Sequence, residues 1–328
     1  MNNKGLVLIT VLWVLVILSL IVWGLGRRSS QEVSVLETYR GKLRSYAAAR
    51  AGLNTMIDLL HRSPSAKDTL YVTAVSIDQT RKPEDIFAHI DVGPHAYASV
   101  QWVARNLSTP DNKPHLEYGL SDEAGRINLN AIGIANYQVL SALFELKGLA
   151  RLQADELALA IVNYTGAAVQ ESNSKPKNKP YENVLELFEV NGMTREIFDK
   201  IKDDVTVYGD TQNGLWINTD TANNDVIRAV ANAAVRVDQS VNAENIISRA
   251  LGLRDGGDMQ SFTPDDGTLS LDASSDPHWP AALQEGRSNY YRARVVGVDT
   301  DSGTRTVLEA VIHSPQGAWG EILSWKRD

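Results

Sequence analysis

The sequence contains no cysteine among its 328 residues, and it carries fewer basic than acidic side chains. Without cysteine there can be no disulfide-stapled scaffold, no thiol nucleophile, and no zinc or iron–sulfur site held by thiolates. The 32 Lys and Arg against 40 Asp and Glu give a formal net charge of −8. Because nucleic-acid binding depends on clustered basic residues that release counterions, we expect no nucleic-acid partner.

The sequence also lacks the short motifs that mark common catalytic sites. It has no H-E-x-x-H, no G-x-S-x-G, no phosphate-binding loop and no dinucleotide-binding fingerprint. Its six histidines are scattered, at positions 61, 89, 95, 115, 278 and 313. We therefore predict no catalytic residue and no enzymatic activity.

A long hydrophobic run is the most prominent feature that is present. Residues 6–25 contain only two polar side chains, Thr10 and Ser19. A helix of this length spans about 30 Å, the thickness of a bilayer core. Apolar residues then continue at helical spacing until Ser63 and Pro64 end the pattern, at Leu36, Tyr39, Leu43, Tyr46, Leu53, Ile57 and Leu60. We predict one continuous helix over about residues 6–62, apolar all round in its first half and amphipathic in its second.

Strand and helix patterns follow this helix in three blocks. Alternating apolar and polar residues predict strands at 69–77, 96–104, 116–120 and 126–129. Helical spacing predicts six helices at 137–146, 153–164, 184–190, 196–205, 225–237 and 243–251. After a segment rich in Asp, Gly and Ser, strands return at 290–298, 304–313 and 319–325.

This order predicts an α+β fold in which a long N-terminal helix packs on one antiparallel β-sheet, with a large all-α domain inserted into that sheet. The predicted parts are a leader at 1–5, a transmembrane helix at 6–28, the remaining helix with the first strands at 29–130, an inserted helical domain with its Asp- and Gly-rich loop at 131–280, and closing strands at 281–328.

A short leader ahead of such a helix resembles the type IV pilins and the pseudopilins of type II secretion. The resemblance implies that a prepilin peptidase cuts between Gly5 and Leu6 and that Leu6 becomes a methylated N-terminus. These families carry glutamate at the fifth mature position, where it neutralises the N-terminal amine of a neighbouring subunit; this chain has Thr10 there. A subunit at the tip has no subunit ahead of it, and the K-type minor pseudopilins also lack this glutamate.

Two internal segments carry a more specific resemblance. Residues 121–131 (SDEAGRINLNA) are similar to the D-E-x-G-R-x-N-L-N stretch of the K-type minor pseudopilins. Residues 191–194 (NGMT) and 217–222 (INTDTA) are similar to the G-M-T and I-N-x-N-T-A elements of that family, with Asp220 in place of the second asparagine. The resemblance implies a pseudopilus-tip subunit in the bacterial inner membrane, with a single span and a periplasmic C-terminal domain. The implied partners are I- and J-type minor pseudopilins, the prepilin peptidase and secreted protein substrates.

Acidic loops are the candidates for metal binding. Carboxylates on flexible loops suit Ca²⁺, and one stretch offers Asp255, Asp258, Asp265, Asp266, Asp272 and Asp276. Asp299 and Asp301 have D-x-D spacing, but no glutamate stands at the twelfth position of an EF-hand loop. Composition alone favours solvated turns over metal binding for both groups. The resemblance implies calcium without identifying its ligands.

Two alternatives remain open at this point. One is an unprocessed bitopic inner-membrane protein with a periplasmic binding domain. The other is a secreted enzyme with an ordinary signal peptide, for which residues 24–26 (GLG) offer a weak cleavage site.

Arg27 and Arg28 lie beyond the hydrophobic run and Lys4 lies before it, so the positive-inside rule favours a cytoplasmic C-terminus. The very short leader and the exported character of the downstream region favour the opposite orientation.

Overall fold

The computed structural model describes residues 3–62, 86–104, 115–166, 176–212, 214–256, 278–286, 288–315 and 318–327. Helix α1 (Asn3–Arg62) is a single uninterrupted helix of 60 residues. At 1.5 Å per residue it is about 90 Å long. The predicted continuous helix is therefore confirmed. The predicted strand at 69–77 lies outside the described residues.

An antiparallel sheet of seven strands packs on the second half of α1. Its strands are β1 (Ile90–Gly93), β2 (Ala96–Ala104), β3 (His115–Tyr118), β4 (Ser121–Asp122), β9 (Tyr290–Asp299), β10 (Arg305–His313) and β11 (Glu321–Arg327). The order is β1-β2-β9-β10-β11, while β3 pairs with β2 and β4 with β9. Strand β2 therefore lies beside β9, which comes much later in the chain, and the segment between them is an insertion.

Small residues allow α1 to lie very close to the sheet. A Cβ atom on Gly297 would stand 2.0 Å from the carbonyl oxygen of Ser45, and one on Gly52 would stand 2.6 Å from Cβ of Ala98. The core of this layer joins one face of α1 to the inward residues of the sheet, and its members are Ala49, Leu53, Met56, Leu60, Phe87, Ala98, Val100, Leu120, Tyr291, Ala293, Val295, Leu308, Ala310 and Ile312. Alternate residues of β9 and β10 supply it, as the pleat of a strand requires.

The sheet covers only part of the predicted apolar stripe. Leu53 and Leu60 are buried and Tyr46 is half-buried, whereas Leu36 and Leu43 are 57% and 58% exposed. The β9–β10 turn is the part of the sheet nearest the N-terminus of α1, and it meets the helix at Gly41 and Arg44. The prediction that the whole stripe packs on the sheet is wrong for Leu36, Tyr39 and Leu43, since periodicity identifies an apolar face but not what covers it.

A helical unit, residues 127–284, is inserted between β4 and β9. It contains α2 (Gln138–Leu146), α3 (Arg151–Tyr164), α4 (Arg195–Ile201), α5 (Asn224–Val237) and α6 (Ala243–Arg254). It also holds two short parallel pairs, β5 (Ile127–Asn128) with β6 (Val205–Thr206) and β7 (Ile217–Asn218) with β8 (Leu283–Gln284). Its hydrophobic core is separate from that under the sheet and extends from Ile127 to Leu283.

Five of the six predicted helices are α-helices. The sixth, predicted over residues 184–190, is a 3₁₀ helix at Val184–Glu189. Its capping box consists of Asn183, whose side chain accepts from the helix backbone, and Glu186, whose carboxylate accepts from Asn183 N–H at 3.1 Å. At six residues it is longer than most 3₁₀ runs.

Candidate functional site: the apolar anchor and the joint cluster

One helix among the described residues is long and apolar enough to cross a membrane. Its apolar segment is Val7–Gly24, with a mean hydropathy of 2.8 and no residue buried against the rest of the chain. Eighteen helical residues extend about 27 Å, close to the thickness of a bilayer core. By length and composition, α1 can therefore serve as a membrane anchor.

The predicted processing residues lie at the start of this helix. Gly5 and Leu6 fall within the first turns of α1, ahead of the apolar segment. Thr10 Oγ1 donates to the carbonyl oxygen of Val7 at 2.9 Å, so its hydroxyl is satisfied within the helix. Thr10 thus presents an uncharged side chain whose hydroxyl is hydrogen-bonded within the helix. Cleavage after Gly5 stays a prediction.

A second apolar surface continues along α1 beyond the anchor. Val33, Val35, Leu36, Tyr39 and Leu43 are each at least half exposed, between 51% and 68%. We call this set the α1 stripe. It lies between the apolar segment and the sheet, and no described residue of the chain buries it.

The acidic pair of the 121–131 motif lies between the sheet and the helical unit. Glu123 is completely buried. Its carboxylate accepts from Arg292 of β9, with Nε at 2.6 Å and Nη2 at 3.2 Å, and from Arg126 Nη1 at 3.0 Å. Thr206 of β6 donates a further, short hydrogen bond to Oε2. One carboxylate thus binds groups from the sheet, the connecting segment and the helical unit.

Asp122 makes the same kind of bridge to another part of the helical unit. It is 4% exposed, and its Oδ2 accepts from Asn218 Nδ2 at 2.8 Å and from Thr221 Oγ1 at 2.9 Å. The backbone N–H of Ala124 donates to Oδ1 at 2.8 Å. We name Asp122, Glu123, Arg126, Thr206, Asn218, Thr221 and Arg292 the joint cluster.

The two carboxyl groups of the joint cluster differ in their acidity. Burial alone would raise the pKa of Glu123, but the charges of Arg126 and Arg292 and the hydrogen bonds from Arg292 and Thr206 lower that pKa to about 2. Burial raises the pKa of Asp122 above its ordinary value, because neutral hydrogen-bond donors offset it only in part. Glu123 is therefore an ionised group with two cationic partners.

The asparagines of the quoted motifs organise backbone. Asn130 Nδ2 donates to the carbonyls of Tyr181 and Val207, both at 3.0 Å, while its Oδ1 accepts from Tyr181 N–H at 2.7 Å. Asn128 Oδ1 caps the following 3₁₀ helix, and Thr194 of the G-M-T element caps α4. These residues account for the motifs through folding of the helical unit.

The acidic loop residues were predicted as calcium ligands, and the structure describes only one of them. Asp255 is buried at the end of α6, and its two oxygens accept from Arg254 Nε at 2.7 Å and Nη2 at 3.0 Å. In the structure, this ion pair engages both carboxylate oxygens of Asp255. Asp258, Asp265, Asp266, Asp272 and Asp276 lie outside the described residues, and within the described ranges no group of three or more His, Asp or Glu could hold a metal ion. Calcium binding by the loop stays a prediction.

The second acidic pair belongs to the β9–β10 turn. Asp299 Oδ2 accepts from Ser302 N–H at 3.0 Å, and Asp301 pairs with Arg44 Nη1 at 2.7 Å and with His95 Nδ1 at 3.0 Å. These contacts attach the turn to α1 and to the start of β2.

The chain was compared with family models, with curated proteins and with solved structures. No family model matches the sequence, and no curated protein matches it. Among solved structures, the GspK chain of the GspK–GspI–GspJ complex from the type 2 secretion system of enterotoxigenic Escherichia coli matches with a TM-score of 0.54 and 15% identity. The match covers 91% of this chain and 99% of that chain.

At this identity the likeness shows a shared fold. The chain has a GspK-like pilin fold: a long N-terminal helix, an antiparallel sheet and a set of further helices. The predicted resemblance to K-type minor pseudopilins is thus confirmed at the level of the fold.

The residues that sequence reasoning missed are Arg292 and Thr206, which complete the joint cluster from distant parts of the chain.

Proposed function

We propose that this chain is a K-type minor pseudopilin at the tip of a type II secretion pseudopilus. There it is needed for assembly of the pseudopilus and for export of folded proteins from the periplasm. The observation that carries the proposal is the structural match, which covers 91% of this chain and 99% of the GspK chain. The role is structural and requires no catalytic residue.

The position of the helical unit supports a place at the tip. Along α1, the β9–β10 turn meets Gly41, Gly297 meets Ser45, and Val295 meets Gly52. Strand β9 therefore begins near the C-terminal end of α1, and its Tyr291 and Arg292 are the residues that pair with β4. The helical unit joins the sheet at the end farthest from the apolar anchor, where it would obstruct a further subunit.

Thr10 agrees with that position. A carboxylate within a membrane helix costs about 2.5–3.5 kcal/mol on insertion scales, and in a filament the N-terminal amine of a neighbour offsets this cost. A terminal subunit has no such neighbour ahead of it, so an uncharged side chain that bonds to Val7 is the more stable choice.

The proposed partners follow from the matched complex, in which GspK is joined by GspI and GspJ. We propose that I- and J-type minor pseudopilins bind this chain through α1. The prepilin peptidase would process it, and secreted proteins would contact its periplasmic part. The apolar segment Val7–Gly24 would hold it in the inner membrane before assembly.

The N-terminus of the mature protein tests this proposal. Expressed with a prepilin peptidase, the chain should begin at a methylated Leu6, and a Gly5→Val variant should keep its leader. Sequencing the N-terminus by mass spectrometry checks both. A chain that still begins at Met1 supports the unprocessed bitopic protein, and one that begins near Arg27 supports an ordinary signal peptide; either result contradicts the proposal.

A further inference from the structure

The sheet and the helical unit have separate hydrophobic cores. The core under the sheet joins α1 to β2, β9 and β10, whereas the core of the helical unit lies among its own helices. Over the described ranges, these two sets of buried apolar residues share no member. Two bodies with independent cores move relative to one another unless other contacts hold them.

The joint cluster spans the gap between these cores. The backbone of its acidic pair belongs to the sheet, since Asp122 pairs with Tyr291 and Glu123 N–H donates to the carbonyl of Tyr290 at 3.0 Å. The two side chains point the other way, to Thr206 of β6 and Asn218 of β7. Asp122, at the end of β4, and Glu123, directly after it, thus bind two separate strand pairs of the helical unit.

We propose that Asp122 and Glu123 form a lock that fixes the orientation of the helical unit on the sheet. Glu123 is held by Arg292 on the sheet side and by Thr206 on the helical side, so rotation of the unit breaks a hydrogen bond to a buried carboxylate. Asp122 adds Asn218 and Thr221, so the contact has two points and resists twisting as well as tilting. Leaving a buried charge without its partners is strongly unfavourable, which makes the locked arrangement the stable one. The proposal concerns two parts of one chain and stands independently of the proposed function.

The absence of cysteine makes the orientation directly measurable. Glu156 on α3 and Arg305 on β10 are both exposed. Cysteines introduced as Glu156→Cys and Arg305→Cys in the full chain, in detergent, can carry spin labels for pulsed electron–electron distance measurement. The parent should give one narrow distance distribution. Adding Glu123→Gln should shift or broaden that distribution while the far-ultraviolet circular dichroism stays unchanged.

Glu145→Gln is the matched control, because Glu145 pairs with Arg236 Nη2 at 2.5 Å entirely within the helical unit. It should leave the distance distribution as in the parent. If Glu123→Gln does not fold, Thr206→Val replaces it. This change leaves the Glu123 side chain in place and removes its hydrogen bond from the helical side, together with the bond that Thr206 Oγ1 accepts from Tyr208 N–H within the helical unit. An unaltered distribution in the folded Glu123 variant, or in Thr206→Val where that variant stands in, would overturn the lock, as would an equal broadening in Glu145→Gln.

Discussion

Glu123 is a buried carboxylate with several partners, and its pKa shows what those partners mean for stability. Its pKa of about 2 in the folded chain lies below the ordinary value of 4.5. Ionised Glu123 therefore stabilises the fold above about pH 4.5, and this contribution decreases as the pH falls and is gone near pH 2. At about 1.4 kcal/mol for each pKa unit, the contribution at neutral pH is about 3 kcal/mol.

Glu123→Gln should accordingly lower the free energy of unfolding by about 3 kcal/mol at pH 7. The difference between the variant and the parent should shrink as the pH is lowered from 5 towards 2. Urea unfolding at several pH values measures it. Asp122, whose pKa is shifted the other way, is present in both proteins and so contributes little to the difference. A difference that does not change with pH would contradict the prediction.

Thr10 carries the second prediction at this scale. Thr10→Glu should leave cleavage after Gly5 intact, because the altered residue lies beyond the cleavage site. It should reduce recovery of complexes with I- and J-type pseudopilins, since at the proposed tip position the added carboxylate would have no amine to pair with. Thr10→Gln, polar but uncharged, is the control. Normal secretion and normal complexes in the Thr10→Glu strain would count against the charge argument.

Residue identities alone could not reveal the joint cluster. The motif at 121–131 shows Asp122 and Glu123 as two acids before an arginine, which equally fits a solvated turn. Arg292 is separated from Glu123 by 169 residues, and no local pattern joins them. Asp255 is another residue whose partner the composition does not reveal: both of its carboxylate oxygens accept hydrogen bonds from Arg254.

Helix α1 shows at the scale of an element what periodicity can and cannot predict. Its length and its two halves follow from the spacing of apolar residues. A segment that is apolar all round gives a continuous apolar run, and a segment that is apolar on one face gives apolar residues at helical spacing. The extent of the covered face does not follow, since it depends on where the β9–β10 turn ends against Gly41.

Two leucines of α1 turn this difference into a test. Leu53 is 3% exposed in the core and Leu36 is 57% exposed on the α1 stripe. Leu53→Ala should lower the free energy of unfolding by about 2–5 kcal/mol, because it leaves a cavity. Leu36→Ala should change it by less than about 0.5 kcal/mol. Denaturant unfolding of both variants in the same detergent measures the two changes in free energy of unfolding. Equal decreases in the two variants would contradict the described packing.

The topology of the whole molecule was predictable because the order of its patterns is distinctive. A block of helical patterns between two blocks of strand patterns is most simply an insertion into one sheet. The ends of the insertion are less visible: Ile127 and Leu283 belong to the core of the helical unit, although both lie in short strands. A strand of two residues is too short for its sequence pattern to show whether it belongs to the sheet or to the helical unit.

The α1 stripe gives a prediction about assembly. Val35 is 68% exposed on this stripe, and Leu152 is 71% exposed on α3 of the helical unit. If subunits associate through α1, Val35→Asp should reduce co-purification with I- and J-type pseudopilins, because it places a charge in an apolar contact. Leu152→Asp should leave it unchanged. Equal recovery of the partners with both variants would argue against association through this surface.

The pairing of β2 with β9 determines the sequence of events during synthesis. Ala98 pairs with Gly297, so the sheet cannot close before residue 297 has been synthesised. The helical unit contains all of its own strand pairings and its own core, and can therefore become compact first. Until β9 and β10 arrive, Leu53 and Met56 have only β2 and its neighbours to cover them. This chain thus combines slow, long-range closure of the sheet with early local folding of the helical unit. Until β9 and β10 have been synthesised, the apolar face of α1 that they cover stays partly exposed.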